Sequence, residues 1–166
     1  ASLLDMSMNK FRRIRWDRIS LVSQAAMGAL NPVYTVGGQI VEAIRTHRKC
    51  SKQEAWAQAE DLLGQVKVDP KRARNFPHEL SGGMRQRAMI AMALACSPEI
   101  IIADEMTTAL DVVTQAQVLK LLIDLQKRLN LSLIYISHEL SVLGQACDKM
   151  IIMYAGKIVE IGPTAK

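Results

Sequence analysis

Three strand-length runs, residues 100–103, 131–136 and 150–154, are apolar at nearly every position, and each follows a helix-length stretch. This alternation constrains the fold more than any other feature. A strand with one wet face alternates apolar and polar residues, whereas a strand apolar on both sides needs cover on both. Helices between such strands supply that cover, and successive strands then run parallel. The preceding helices are expected at about 82–96, 113–129 and 139–147, the second with Val118, Leu122, Leu125 and Leu129 in a stripe. Residues 18–23 form a further short strand ending at Gln24. Ala155, Gly156 and Lys157 make a tight turn into a last strand at 158–161. The expected class is α/β, with a parallel sheet covered on both faces.

Residues 33–77 carry no strand pattern. Gly28, Asn31 and Pro32 mark 25–34 as a loop, and Ile40, Val41 and Ile44 share one side of a helix at 36–47. Ser51 and Glu54 have capping-box spacing ahead of Ala55, Trp56, Ala59, Leu62 and Leu63. Asp69-Pro70 opens another short helical turn, which Pro77 ends. The chain thus divides at 1–32, 33–80 and 81–166, the middle section being a helical subdomain.

Apolar residues make up 49% of the 166 and aromatics 4%, so the core rests on aliphatic side chains. The apolar stretch from Met89 is broken by Ser97, Pro98 and Glu99 before it reaches the roughly 18–20 residues of a membrane span. The first residues lack the apolar block of a secretory signal. Cys50, Cys96 and Cys147 form no C-x-x-C pair and suit a reducing compartment. The net charge of +5 collects around Lys10 to Arg18, Arg45 to Lys49 and Lys71 to Arg74. Such clusters can meet nucleic acid or acidic lipid headgroups, and here they are expected to be solvated faces beside helices. Phe11 and Trp16 alone make a poor stacking platform, so no nucleic-acid partner is expected. His47 and His78 are given no functional role, His78 by its position suggesting a structural one, and Met84, Met89 and Met92 are given core and interface packing.

Two segments carry chemistry. The strand at 100–103 runs into Asp104 and Glu105, which places two carboxylates at the carboxyl edge of a parallel sheet, where such sheets bind ligands. An Asp there can hold Mg²⁺ through water, and a neighbouring Glu can take a proton from an attacking water. Turns are polar in any case, so acids also end strands without a ligand. Ser81 is placed to cap a helix whose first turn holds Gly82 and Gly83. A helix start offers free N–H groups to an anion, and glycines let it come close. Ser caps need no ligand, but paired glycines are poor helix formers and call for some close approach.

These segments resemble the ATP-binding subunits of ABC transporters. Residues 80–87, LSGGMRQR, are similar to the signature motif, and residues 100–105, IIIADE, to the Walker B strand with its catalytic Glu. In the same order, Gln24 resembles the Q-loop glutamine, Ala109-Leu110-Asp111 the D-loop, and His138 the switch histidine. Residues 28–40 and 76–105 most resemble the oligopeptide, dipeptide and nickel importer branch. The resemblance implies a partial P-loop NTPase (RecA-like) sheet with an inserted helical signature subdomain. It implies ATP and Mg²⁺ as cofactors and a head-to-tail dimer, homo- or heteromeric, with nucleotide at the interface. Ser81, Gly82, Gly83 and Gln86 would meet the phosphates of ATP held mainly by the opposite subunit. Asp104 and Gln24 would support Mg²⁺, Glu105 would polarise the water, His138 would bond the γ-phosphate, and Asp111 would organise the dimer. Implied partners are a second ATPase subunit, transmembrane permease subunits and, indirectly, a solute-binding protein. The implied place is the cytoplasmic face of the membrane.

The chain departs from this pattern in three places. It has no G-x-x-x-x-G-K-[ST], the loop that cradles phosphates. In intact relatives that loop lies upstream of the Gln24 strand, so this chain is expected to be a piece of a longer subunit and inactive alone. Met106 stands where Pro usually follows the catalytic Glu, which is expected to loosen the loop. Gly37-Gly38 is expected to weaken a helix start by about 1 kcal/mol. Two other readings exist. One is a non-catalytic docking or regulatory module that binds the permease or a partner ATPase. The other is a chromosome-maintenance ATPase, against which stands the lack of any sustained heptad run.

Overall fold

The computed structural model describes residues 3–23, 26–108 and 110–164. A basic helix α1 (Met8–Ile14), with no buried residue, precedes strand β1 (Ile19–Val22). Helices α2 (Ala26–Ala29), α3 (Val36–His47) and α4 (Lys52–Gln65) follow, with 3₁₀ turns at Pro70–Arg74 and Pro77–Glu79. Then come α5 (Gly82–Ala93), β2 (Ile100–Asp104), α6 (Val112–Leu129), β3 (Ser132–Ile136), α7 (Leu140–Ala146), β4 (Lys149–Tyr154) and β5 (Lys157–Pro163). The loop expected at 25–34 thus contains the single turn α2. Pro77 starts a turn rather than ending one, because its fixed φ suits a first helical position.

Strands β1, β2 and β3 form a parallel sheet in that order, with Ile19 opposite Ile100 and Ile100 opposite Ser132. The entrance to the sheet is fixed at Arg18. Its carbonyl accepts from the Glu99 and Ile100 amides, and its guanidinium holds Glu99 bidentately at 2.8 and 2.6 Å. Side chains alternate between the faces. Ser20, Val22, Ile101, Ala103 and Tyr135 are buried on one face, where α5 packs against β1 and α6. On the other face Leu21, Ile134 and Ile136 are about half exposed.

Cover on both faces, as the apolar runs required, is therefore not what the described residues show. A sequence run reveals that both sides are apolar, not which segment lies over each. The strand at 150–154 also departs from the expected parallel series. It pairs antiparallel with β5 in a separate two-stranded sheet. Its two-residue turn holds Ala155 and Gly156 at φ +48° and +75°, the left-handed pair that a type I′ hairpin turn requires.

The helical section is capped locally. Ser51 Oγ accepts from the Glu54 amide at 3.2 Å, and the Glu54 carboxylate accepts from the Ser51 amide at 2.8 Å. Thr35 caps α3, its hydroxyl accepting from the Gly38 amide. Gln39 was not legible beforehand. Nearly buried, it accepts from the Asn31 amide at 2.8 Å and donates to the carbonyls of Asn31 and Tyr34, which clamps the loop behind β1. One apolar cluster runs from Ile40, Ile44 and Leu63 through Ile90 to Ile101, Leu122 and Leu125.

Gly37 has a packing reason that outweighs its poor helix propensity. A Cβ there would lie 2.6 Å from the Trp56 ring and 2.8 Å from both the side chain and the carbonyl oxygen of Ala73. Propensity alone favours Ala by about 1 kcal/mol, whereas overpacking against a fixed backbone carbonyl costs about 1–3 kcal/mol. Gly37→Ala is therefore expected to destabilise the chain, with a lower urea midpoint and an unchanged slope. A raised midpoint would show that the neighbours yield.

Candidate functional site

Strand β2 delivers Asp104 at its last position, opposite Ile136 of β3. The next residue, Glu105, has φ +44°, a left-handed conformation that costs a non-glycine residue about 1–2 kcal/mol. Neighbours hold it there. Its amide donates to the Ile136 carbonyl at 3.0 Å, and its carbonyl accepts from the Thr108 hydroxyl at 2.9 Å. Met106 is buried, so the residue in the usual proline position anchors this turn through its side chain. Thr107 and Tyr135, both buried, share a hydroxyl hydrogen bond of 3.1 Å that ties the turn to β3. Burial pushes the Tyr135 phenol above its ordinary pKa, so it stays protonated. Neither Thr107 nor Tyr135 shows a sequence signal, since 28 residues separate them.

The turn aims Glu105 at the loop after β3. Its carboxylate oxygen lies 3.1 Å from Nδ1 of His138, whose side chain is 65% exposed. Ser137 Oγ accepts from the Glu139 amide, and the Glu139 carboxylate accepts from Gln115 of α6, which steadies the histidine loop. The structure thus brings Asp104, Glu105 and His138 to the carboxyl edge of the sheet. Gln24 and Ala109 lie outside the described residues.

The remaining expected residues gather at the starts of α5 and α6. Ser81 is exposed and caps α5, its hydroxyl accepting from the Met84 amide at 3.3 Å. Gly82 and Gly83 form the first turn behind it. Asp111 caps α6, accepting from the Thr114 amide at 2.9 Å and the Thr114 hydroxyl at 2.6 Å. The Thr114 hydroxyl and amide hold the Asp111 carboxyl below its ordinary pKa. Gln86, expected beside the phosphates, is instead 1% exposed, and its amide nitrogen has no partner among the described residues. It sits one helical turn inside the tip, on the side that α5 turns to the core, so it does not share the surface of Ser81.

Two partly exposed carboxylates and an imidazole fit a magnesium-bound polyphosphate. Among the described residues no three His, Cys, Asp or Glu side chains could hold a metal on their own. Mg²⁺ held by one or two carboxylates, phosphates and water needs no such cage.

The sequence model described as ABC transporter matches residues 4–108. The chain belongs to the ABC transporter family. Among its relatives, the "Probable peptide ABC transporter ATP-binding protein y4tR" of Sinorhizobium fredii (strain NBRC 101917 / NGR234) is 52% identical over 161 residues, covering 96% of this chain and 48% of that protein. The "Glutathione import ATP-binding protein GsiA" of Salmonella typhimurium is 47% identical over 162 residues, covering 96% of this chain and 26% of that protein. The chain thus spans half or less of the length of these relatives. The fold is similar to the dimeric, post-hydrolysis structure of an ATP-binding cassette bound to ADP and Pi. There the TM-score is 0.83 at 27% identity, over 98% of this chain and 69% of that one. The α/β architecture with a parallel sheet is that of the ABC cassette. His78 stacks on Phe76 at 5.7 Å.

Proposed function

We propose that this chain supplies the signature, Walker B, D-loop and switch-histidine parts of an ATP-hydrolysing subunit that drives an ABC importer for peptides or related solutes. The observation that carries this is the 3.1 Å contact between Glu105 and His138, which joins two motifs 33 residues apart at the ligand-binding edge of the sheet. Bound Mg²⁺ would neutralise phosphate charge there. Asp104 would orient the metal through its water shell. Glu105 accepts a proton from the attacking water, and His138 steadies that carboxylate and bonds the terminal phosphate. Gln24 would complete this set from the β1 side. Ser81, Gly82 and Gly83 offer the helix start to nucleotide held by a second subunit. Asp111 orders the same face. Gln86 is left out of the phosphate contacts because it is buried.

No helix among the described residues is long and apolar enough to cross a membrane. Peripheral attachment at the cytoplasmic face would then come from permease subunits. A groove lined by Trp16, Asn31, Tyr34, Gln39, Glu42 and Met92 lies beside the clamped loop. A solute-binding protein would act only through the permease. The test is Mg-ATP turnover by the complete subunit that contains this chain, with equilibrium dialysis of ATP against the chain alone. Turnover by the whole and negligible binding by the piece are expected. A complete subunit that binds its permease but never hydrolyses ATP would leave the docking-module reading in its place.

A further inference from the structure

The starts of α5 and α6 meet at one atom. A Cβ added to Gly83 would lie 2.6 Å from Thr114 Cγ2, well inside contact distance, so the methyl already occupies the place of a side chain. The same Thr114 carries the hydroxyl that donates to Asp111 at 2.6 Å. Methyl and hydroxyl share one Cβ. The methyl therefore cannot swing away from Gly83 without withdrawing the hydroxyl from Asp111, because β-branched side chains in a helix hold few χ1 rotamers.

We propose that Thr114 is a positioning residue that locks the glycine tip of α5 to the carboxylate of Asp111, and that position 83 is glycine because of this lock. A close approach at Gly83 is then required within the chain itself, before any nucleotide arrives. The Ser81–Gly83 tip and Asp111 move as one body. What that serves, joint presentation of two motifs to a neighbouring subunit, rests on the proposed function; the lock does not.

The test uses the 166-residue chain and no nucleotide. Gly83→Ala is expected to lower the melting temperature by about 2–10 °C, the size of an overpacking strain in a chain of this length. It should also move the Asp111 carboxyl, followed by carbon NMR against pH, up toward its ordinary value. Adding Thr114→Ser removes the methyl and keeps the hydroxyl, so the double variant should recover most of both losses. Two single variants stand if Gly83→Ala fails to fold. Thr114→Val keeps the methyl and should raise the Asp111 midpoint, whereas Thr114→Ser should leave it unchanged. A Gly83→Ala chain that melts no lower, a double variant without recovery, or an Asp111 titration indifferent to Thr114→Val would each overturn the lock. Since none of these readouts involves ATP, failure here and failure of the ATP reading are separable.

Discussion

Glu105→Gln is expected to lower ATP turnover of the complete subunit by about 10²–10⁴-fold, the usual weight of a general base. The amide keeps the size of the carboxylate and can still bond His138, so the turn at residues 105–108 has no reason to rearrange. Its other restraints, the Ile136 carbonyl and the Thr107–Tyr135 hydroxyl pair, do not involve the Glu105 side chain. Nucleotide binding and melting temperature should therefore stay near the parent values while phosphate release falls. A variant that hydrolyses ATP at the parent rate would remove Glu105 from its proposed role. One that loses turnover together with stability would show instead that the carboxylate holds the left-handed turn.

The second large effect concerns the sheet and separates its two faces. Ile101 lies at 0% exposure in the middle of β2, the strand that carries both acids. Ile101→Ala is expected to cost about 2–5 kcal/mol, since the lost transfer energy and the cavity add. Ile134, a residue of the neighbouring strand, is 50% exposed in this chain. Ile134→Ala should cost under about 1 kcal/mol, because half of its surface already meets water. Paired urea melts of the 166-residue chain measure the contrast. Equal losses would mean that the second face is covered in solution and that the sheet is not packed on one side only.

Glu105 concentrates the strain of the site in one residue. A left-handed glutamate persists only where its surroundings fix it more firmly than its own preference opposes. Here a backbone bond to β3, a buried methionine and a buried hydroxyl pair act together. The loosening expected from Met106 is thus opposed by the burial of Met106 itself. Of the basic clusters, Lys10, Arg12 and Arg13 lie on an α1 that buries no residue, whereas Arg18 and Arg48 are ion-paired with Glu99 and Asp17.

The motifs were plain in the residues because each is a local statement. A cap joins positions three apart, so the caps at Ser51 and Ser81 follow from chain geometry alone, while the cap that Asp111 makes to Thr114 was found only in the structure. The apolar runs at 100–103 and 131–136 likewise announced parallel strands, and one of them ends in the two acids as expected, whereas the run at 150–154 pairs antiparallel elsewhere. Packing decided the rest. That Glu105 reaches His138, that Tyr135 fastens Thr107, and that Thr114 fills the notch at Gly83 depend on how helices and strands far apart in the chain lie together. Spacing carries no record of that. Packing also decided that one side of the sheet is covered by α5, which packs on β1 and α6, while the other is about half exposed, because hydrophobicity states what must be buried and only three-dimensional contact states by what.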